Sequence, residues 1–215
     1  VVDGLVRQGS GYPAMSHTNA IQLDAVSKSF DGFKALSEAS FTACWGEVHA
    51  LLGENGAGKS SLMNIAAGLY APETGSLFID DNLVRLKGPL DAANQGIGMV
   101  HQHFKLVFAR VDQLSVAEQQ RVEILKVLLA GARILILDEP TAVLTDAEAE
   151  NLLTTVTNFA HQEGAAVILV THKMNDVMRY ADQVTVMRSG RTVASLKPQS
   201  VSVGELVKLT VGDAP

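Results

Sequence analysis

The 215 residues, 47% apolar and 19% charged, suffice for one domain with a full core and fall short of two of ordinary size. A formal charge of −6 gives no basic face with which to wrap nucleic acid, so no nucleic-acid partner is expected. Cys44 is the only cysteine, which excludes an intrachain disulfide and a cysteine metal cage, and the longest apolar runs fall short of the roughly 18 residues of a membrane helix.

Residues 1–14, VVDGLVRQGSGYPA, lack the apolar stretch of a signal peptide and read as a tag or linker remnant ahead of Met15, leaving 15–215 as the folding unit. IQLDAVSKSF and FKALSEASFTAC are strand-like pieces with a turn at Asp31-Gly32, which predicts an antiparallel hairpin. EVHALLG (47–53) is a buried-strand run leading through GENGAGKS into a helical pattern that ends at Gly68. Apolar strands follow at 133–140, 165–172 and 183–190. The first two are separated by a helix that opens on a Thr145…Glu148 capping box, carries Leu152, Leu153, Val156, Phe159 and Ala160 on one face, and stops at Gly164. Strands alternating with helices predict an α/β domain with a mostly parallel sheet covered on both faces.

Gly53-Glu-Asn55-Gly56-Ala57-Gly58-Lys59-Ser60 fits G-x-x-x-x-G-K-[ST] and lies between a strand and a helix, as a phosphate-binding loop must. Its glycines let backbone N–H groups turn around an anion at a helix N-terminus, Lys59 reaches the terminal phosphates, and the Ser60 hydroxyl can ligate Mg²⁺. The strand Ile134–Leu137 ends in Asp138-Glu139, one carboxylate suited to Mg²⁺ and the other to orienting or deprotonating a water. His101 and His103 flank Gln102 without a third ligand, which favours solvent or packing roles, and Cys44 and Trp45 read as packing residues.

With these residues in place the chain resembles the ATP-binding subunits of ABC transporters, from about Ile21 to its end. The resemblance implies a P-loop NTPase with a RecA-like core, an antiparallel β subdomain and a helical subdomain. It implies that Leu114-Ser115-Val116-Ala117-Glu118-Gln119 is the signature that completes the ATP site of a partner domain. It also makes Gln102 the Q-loop glutamine and a Mg²⁺ ligand with Ser60 and Asp138, residues 141–145 the D-loop region, His172 the switch histidine and Glu139 the general base. Phe30 matches the aromatic that stacks on adenine, with Phe33 its competitor, and Ser61 joins the nucleotide-binding set. ATP and Mg²⁺ are the implied ligands.

GIGMVHQHFKLV, QQRVEILKVLL and ILDEPTAVLT are similar, more narrowly, to importers of simple sugars and purine nucleosides, whose ATP-binding subunit usually carries two such domains in one chain. That implies a second nucleotide-binding domain, transmembrane permease subunits and, indirectly, an extracytoplasmic solute-binding protein as partners, at the cytoplasmic face of the membrane. A soluble ABC-type ATPase outside transport, or a nucleotide-binding half with little hydrolysis of its own, are the alternative readings.

Two departures from the family pattern stand out. Only eleven residues lie between Gln102 and Leu114, where relatives have several dozen. The helical subdomain is therefore largely missing, through a deletion or a discontinuity near 107–111. Ala117 stands where the family has Gly; it either crowds the approach to the partner's nucleotide or is a tolerated small residue. Turnover by an Ala117→Gly variant tells the two apart.

Overall fold

The computed structural model describes residues 18–101 and 115–212, with Val116 and Ala117 described through their backbone only. Residues 1–14, Gln102, His103, Leu114 and the expected discontinuity or deletion near 107–111 lie outside the described residues.

The chain opens with β1 (Asn19–Phe30) and β2 (Phe33–Cys44), joined by the expected two-residue turn. Asp31 and Gly32 have φ of 47° and 84°, the left-handed pair that matches the twist of a tight hairpin. On its other edge β1 pairs antiparallel with β4 (Thr74–Ile79), which pairs with β5 (Asn82–Val84), giving the sheet order β2-β1-β4-β5.

The second sheet has the order β10-β9-β3-β8-β7-β6, built from β3 (Val48–Leu52), β6 (Ile97–Val100), β7 (Ile134–Asp138), β8 (Ala166–Thr171), β9 (Gln183–Arg188) and β10 (Arg191–Leu196). Its four inner pairings from β9 to β6 run parallel and only β10 is antiparallel, as the mostly parallel expectation requires. The helices are α1 (Lys59–Ala66), α2 (Pro89–Asn94), α3 (Val116–Leu129), α4 (Asp146–Glu163), α5 (Met174–Tyr180) and α6 (Val203–Val211).

Burial follows strand alternation. Leu51, Ile134, Ile136, Ile168 and Val170 pack with Leu62, Met63 and Ile65 of α1 and with the antiparallel sheet. Val48, Leu135, Leu137, Val167 and Leu169 pack against Leu152, Leu153, Val156 and Ala160 of α4, the face read from the sequence, with Phe159 partly buried beside them. A third cluster places Leu52, Val184 and Val186 against Val177 of α5 and Leu206 of α6. Each such side chain taken from water contributes about 1.5–3 kcal/mol. β3 and β8 are buried at every position, which explains why VHALL and AVILVT read as apolar text apart from His49 and Thr171. Because β3, β7 and β8 are parallel, the segments leaving their C-terminal ends emerge at one edge of the sheet.

Candidate nucleotide site

That edge collects the sequence-predicted residues. The loop leaving β3 turns through Gly56 and Gly58, with φ of 82° and 98°, and Gly58 caps α1. Ala57 N–H donates to Glu54 O at 3.1 Å, and Gly190 N–H from the β9–β10 turn donates to Ala57 O at 3.0 Å. The loop is thereby fastened to its own sheet. Asn55 and Gly56 are exposed at the tip, Ser60 is exposed in the first turn of α1, and Ser61 is half-buried behind it.

Lys59 is 5% exposed. Its ammonium donates to Gly53 O at 2.7 Å and Glu54 O at 3.1 Å and lies 3.9 Å from Glu139 Oε1. Burial lowers its pKa, opposed by the negative charges of Glu139 and Asp138. Ser60 Oγ donates to Asp138 Oδ1 at 3.5 Å. Burial raises the Asp138 pKa, opposed by its Ser60 hydrogen bond and reinforced by the neighbouring Glu139 carboxylate; the charges of His101 and Lys59 pull it back. His101 itself is exposed, and among the described residues no group of three metal-ligating His, Cys, Asp or Glu side chains occurs.

Glu139 has φ of 50°, a left-handed conformation that costs a non-glycine residue about 1–3 kcal/mol. It is held there by its N–H to Val170 O at 2.9 Å and by its carbonyl accepting from Ala142 N–H at 3.2 Å. The turn aims the carboxylate at His172, whose Nδ1 lies 2.9 Å from one carboxylate oxygen and 3.0 Å from the other. The next residue, Lys173, donates from Nζ to Thr141 O at 2.7 Å, and Thr141 Oγ1 donates to Asp176 at 2.7 Å. An open cleft of about 520 Å³ is lined by Gly53, Glu54, Asn55, His172, Met174 and Val207.

The aromatic and signature residues sit apart from this cluster. Phe30 lies at the end of β1, its ring edge-on to Tyr70 at 5.0 Å and its face 5.6 Å from Lys28 Nζ. Phe33, its register partner across the hairpin, is 70% exposed. Trp45 packs under the Arg133 guanidinium and donates to Asp80, and Cys44 is half-buried, in keeping with packing roles. Ser115 is exposed and caps α3: its hydroxyl accepts from Glu118 N–H, and the Glu118 carboxylate accepts from Ser115 N–H at 2.8 Å. Those bonds hold the Glu118 carboxyl below the usual range. Sequence reasoning missed Gln120, Lys173 and Asp176, since only contacts distant in sequence reveal their place, whereas Thr141 lies in the expected D-loop region.

A family model described as ABC transporter matches residues 36–111 and 105–142. The nucleoside import ATP-binding protein NupA of Lactococcus lactis subsp. cremoris is 39% identical over 241 residues, covering 92% of this chain and 47% of that protein. The ribose import ATP-binding protein RbsA 2 of Burkholderia ambifaria is 38% identical over 236 residues, covering 89% and 46%. The chain thus spans about half the length of the curated relatives it matches. Since 92% of 215 residues is about 198, about 43 of the 241 positions aligned with NupA stand opposite gaps in this chain. Among solved structures, MJ1267, an ATP-binding cassette of an ABC transporter in its ADP conformation, superposes with a TM-score of 0.80 at 19% identity, covering 91% of this chain and 99% of that one, a likeness of fold alone. CbiO1 from Clostridium perfringens, part of the ABC transporter complex cbiONQ, gives 0.76 at 26% identity, covering 88% and 93%.

Proposed function

The chain belongs to the ABC transporter family of ATP-binding domains, and from that premise we propose that it binds MgATP and hydrolyses it as one of a pair of such domains, powering import of a simple sugar or nucleoside through membrane subunits. One observation carries the reading: Lys59, Ser60, Asp138, Glu139 and His172, from three separate strand ends, meet within a few ångströms at one sheet edge. In this reading 15–215 is the nucleotide-binding domain and Gln102 is a further ligand of the magnesium ion. No described helix is long and apolar enough to cross a membrane, and we place the chain as a peripheral subunit at the cytoplasmic face.

The backbone N–H groups of the Gly53–Ser60 loop and the Lys59 ammonium hold the phosphates, and Phe30 supplies a face for the adenine. Ser60 Oγ and Asp138 Oδ1 are hard oxygen donors 3.5 Å apart, close to the roughly 3.0 Å between adjacent corners of a magnesium octahedron. They suit Mg²⁺, with Gln102 as a further ligand, and the ion would add counter-charge to the partly buried Asp138 carboxylate. When bound, the ion neutralises charge on the β- and γ-phosphates. Glu139 accepts the proton of the attacking water once its carboxylate is released from His172, and the freed imidazole turns to the γ-phosphate. Ser115 and the first N–H groups of α3 face the nucleotide held by the partner domain.

The test is phosphate release by this chain mixed with its complementary domain. Glu139→Gln keeps ATP binding and loses about 100–10,000-fold in turnover. Retained turnover in that variant removes Glu139 as the base, and absent turnover in the parent leaves only a nucleotide-binding half.

A further inference from the structure

Gln120 lies in α3, five residues beyond Ser115, and is 3% exposed. Its Nε2 donates to Pro140 O at 2.6 Å, while its Oε1 is buried without a hydrogen-bond partner among the described residues. A carbonyl only accepts, so the amide end that faces Pro140 must be the nitrogen. What this hydrogen bond fixes is the place of Pro140 relative to α3.

Pro140 is the residue after Glu139, in the turn that keeps Glu139 at its left-handed φ. Three consecutive carbonyls of that turn are each secured from a different direction. Glu139 O accepts from Ala142 N–H, Pro140 O from Gln120 and Thr141 O from Lys173. Of these donors only Gln120 comes from the helix whose first turn carries the signature serine, about 7.5 Å away along the axis.

We propose that Gln120 is a positioning residue for hydrolysis: it ties the placement of α3, and with it Ser115, to the placement of Glu139, so that engagement of a partner's nucleotide by this signature is felt at this chain's own water-activating carboxylate. The inference rests on the hydrolysis reading above. It differs from a role of Gln120 in binding, because the side chain's hydrogen bond runs to the Glu139 turn and not to the phosphate loop.

Two variants of the chain, each paired with its complementary domain, test it. Gln120→Met keeps the volume and removes the donor; kcat should fall about tenfold, the worth of one hydrogen bond, while KM and fluorescent-ATP affinity stay within about twofold. Gln120→Glu restores a donor only when protonated, so its kcat should gain a limb that rises as pH falls and that the parent lacks. Parent-like kcat in Gln120→Met, or a Gln120→Glu profile parallel to the parent's, overturns the inference while leaving the hydrolysis reading intact. If the parent itself releases no phosphate, amide exchange still decides. The Glu139 and Ala142 amides should exchange faster in Gln120→Met, and unchanged exchange there overturns it.

Discussion

Burial works against two charges that the site keeps. Lys59 has its pKa lowered and Asp138 its pKa raised, each chiefly by desolvation, so burial shifts both towards their neutral forms in the folded chain. For an acid whose folded pKa lies above its unfolded value, the folded state binds protons more readily, and stability falls as pH rises from the ordinary value of 3.8 through the raised one. At neutral pH the Asp138 carboxylate is thus a net cost to the nucleotide-free fold. Asp138→Asn should stabilise that fold by about 1 kcal/mol, a rise of about 2–4 °C in Tm for a chain of this size, and should abolish Mg²⁺-dependent turnover. Calorimetry across a pH series checks the sign: the advantage of the variant should shrink as pH is lowered towards 3.8. An advantage that grows on acidification would mean that Asp138 stabilises the fold as a carboxylate.

The β3–loop–α1 element shows how backbone geometry and packing divide the work of two glycines. Gly56 and Gly58 share a left-handed φ, but a Cβ on Gly56 would meet nothing within 4 Å, whereas one on Gly58 would lie 2.9 Å from Ala35 O and 3.0 Å from Leu36 Cδ2. Gly56→Ala should therefore cost about 1 kcal/mol from strain alone, and Gly58→Ala a further 1–3 kcal/mol from pushing α1 off β2. Urea midpoints measure both, and equal costs would mean that the loop yields freely at Gly58. This element was legible because its chemistry is local: the glycines, the lysine and the flanking periodicities are contiguous. The Asp31-Gly32 hairpin and the Thr145…Glu148 box were legible for the same reason. β6 was not read as a strand, because Ile97–Val100 is short and carries Gly98, where a Cβ would fall 1.9 Å from Val127 Cγ1 of α3. Close approach of a helix, not a local turn, explains that glycine. β4, β5 and β10 went unread because half of their positions or more face outward or lie partly exposed, and α5 is too short to show a period. Gln120 had no local signal at all, its hydrogen-bond partner Pro140 being twenty residues away.

At the scale of the molecule, the nucleotide site and the signature depend on different parts of the chain. Every strand that delivers a site residue is paired on both edges: β3 between β9 and β8, β8 between β3 and β7, and β7 between β8 and β6. None of these strands includes residues 105–111, where the two family-model matches overlap. α3 follows that stretch, and its Leu125 and Leu129 are 55% and 86% exposed, so the helix presents apolar surface on its outer side. ATP binding and coupling to a transporter should therefore separate. With the corresponding relative segment grafted between 107 and 111, fluorescent-ATP affinity should change by less than about threefold, because Lys59 and the loop are anchored within the parallel sheet. Stimulation of turnover by reconstituted permease subunits should occur with the graft and be absent without it. Equal stimulation of both forms would show that the core alone carries the coupling surface; a large change in affinity would show that the nucleotide site reaches into the grafted segment.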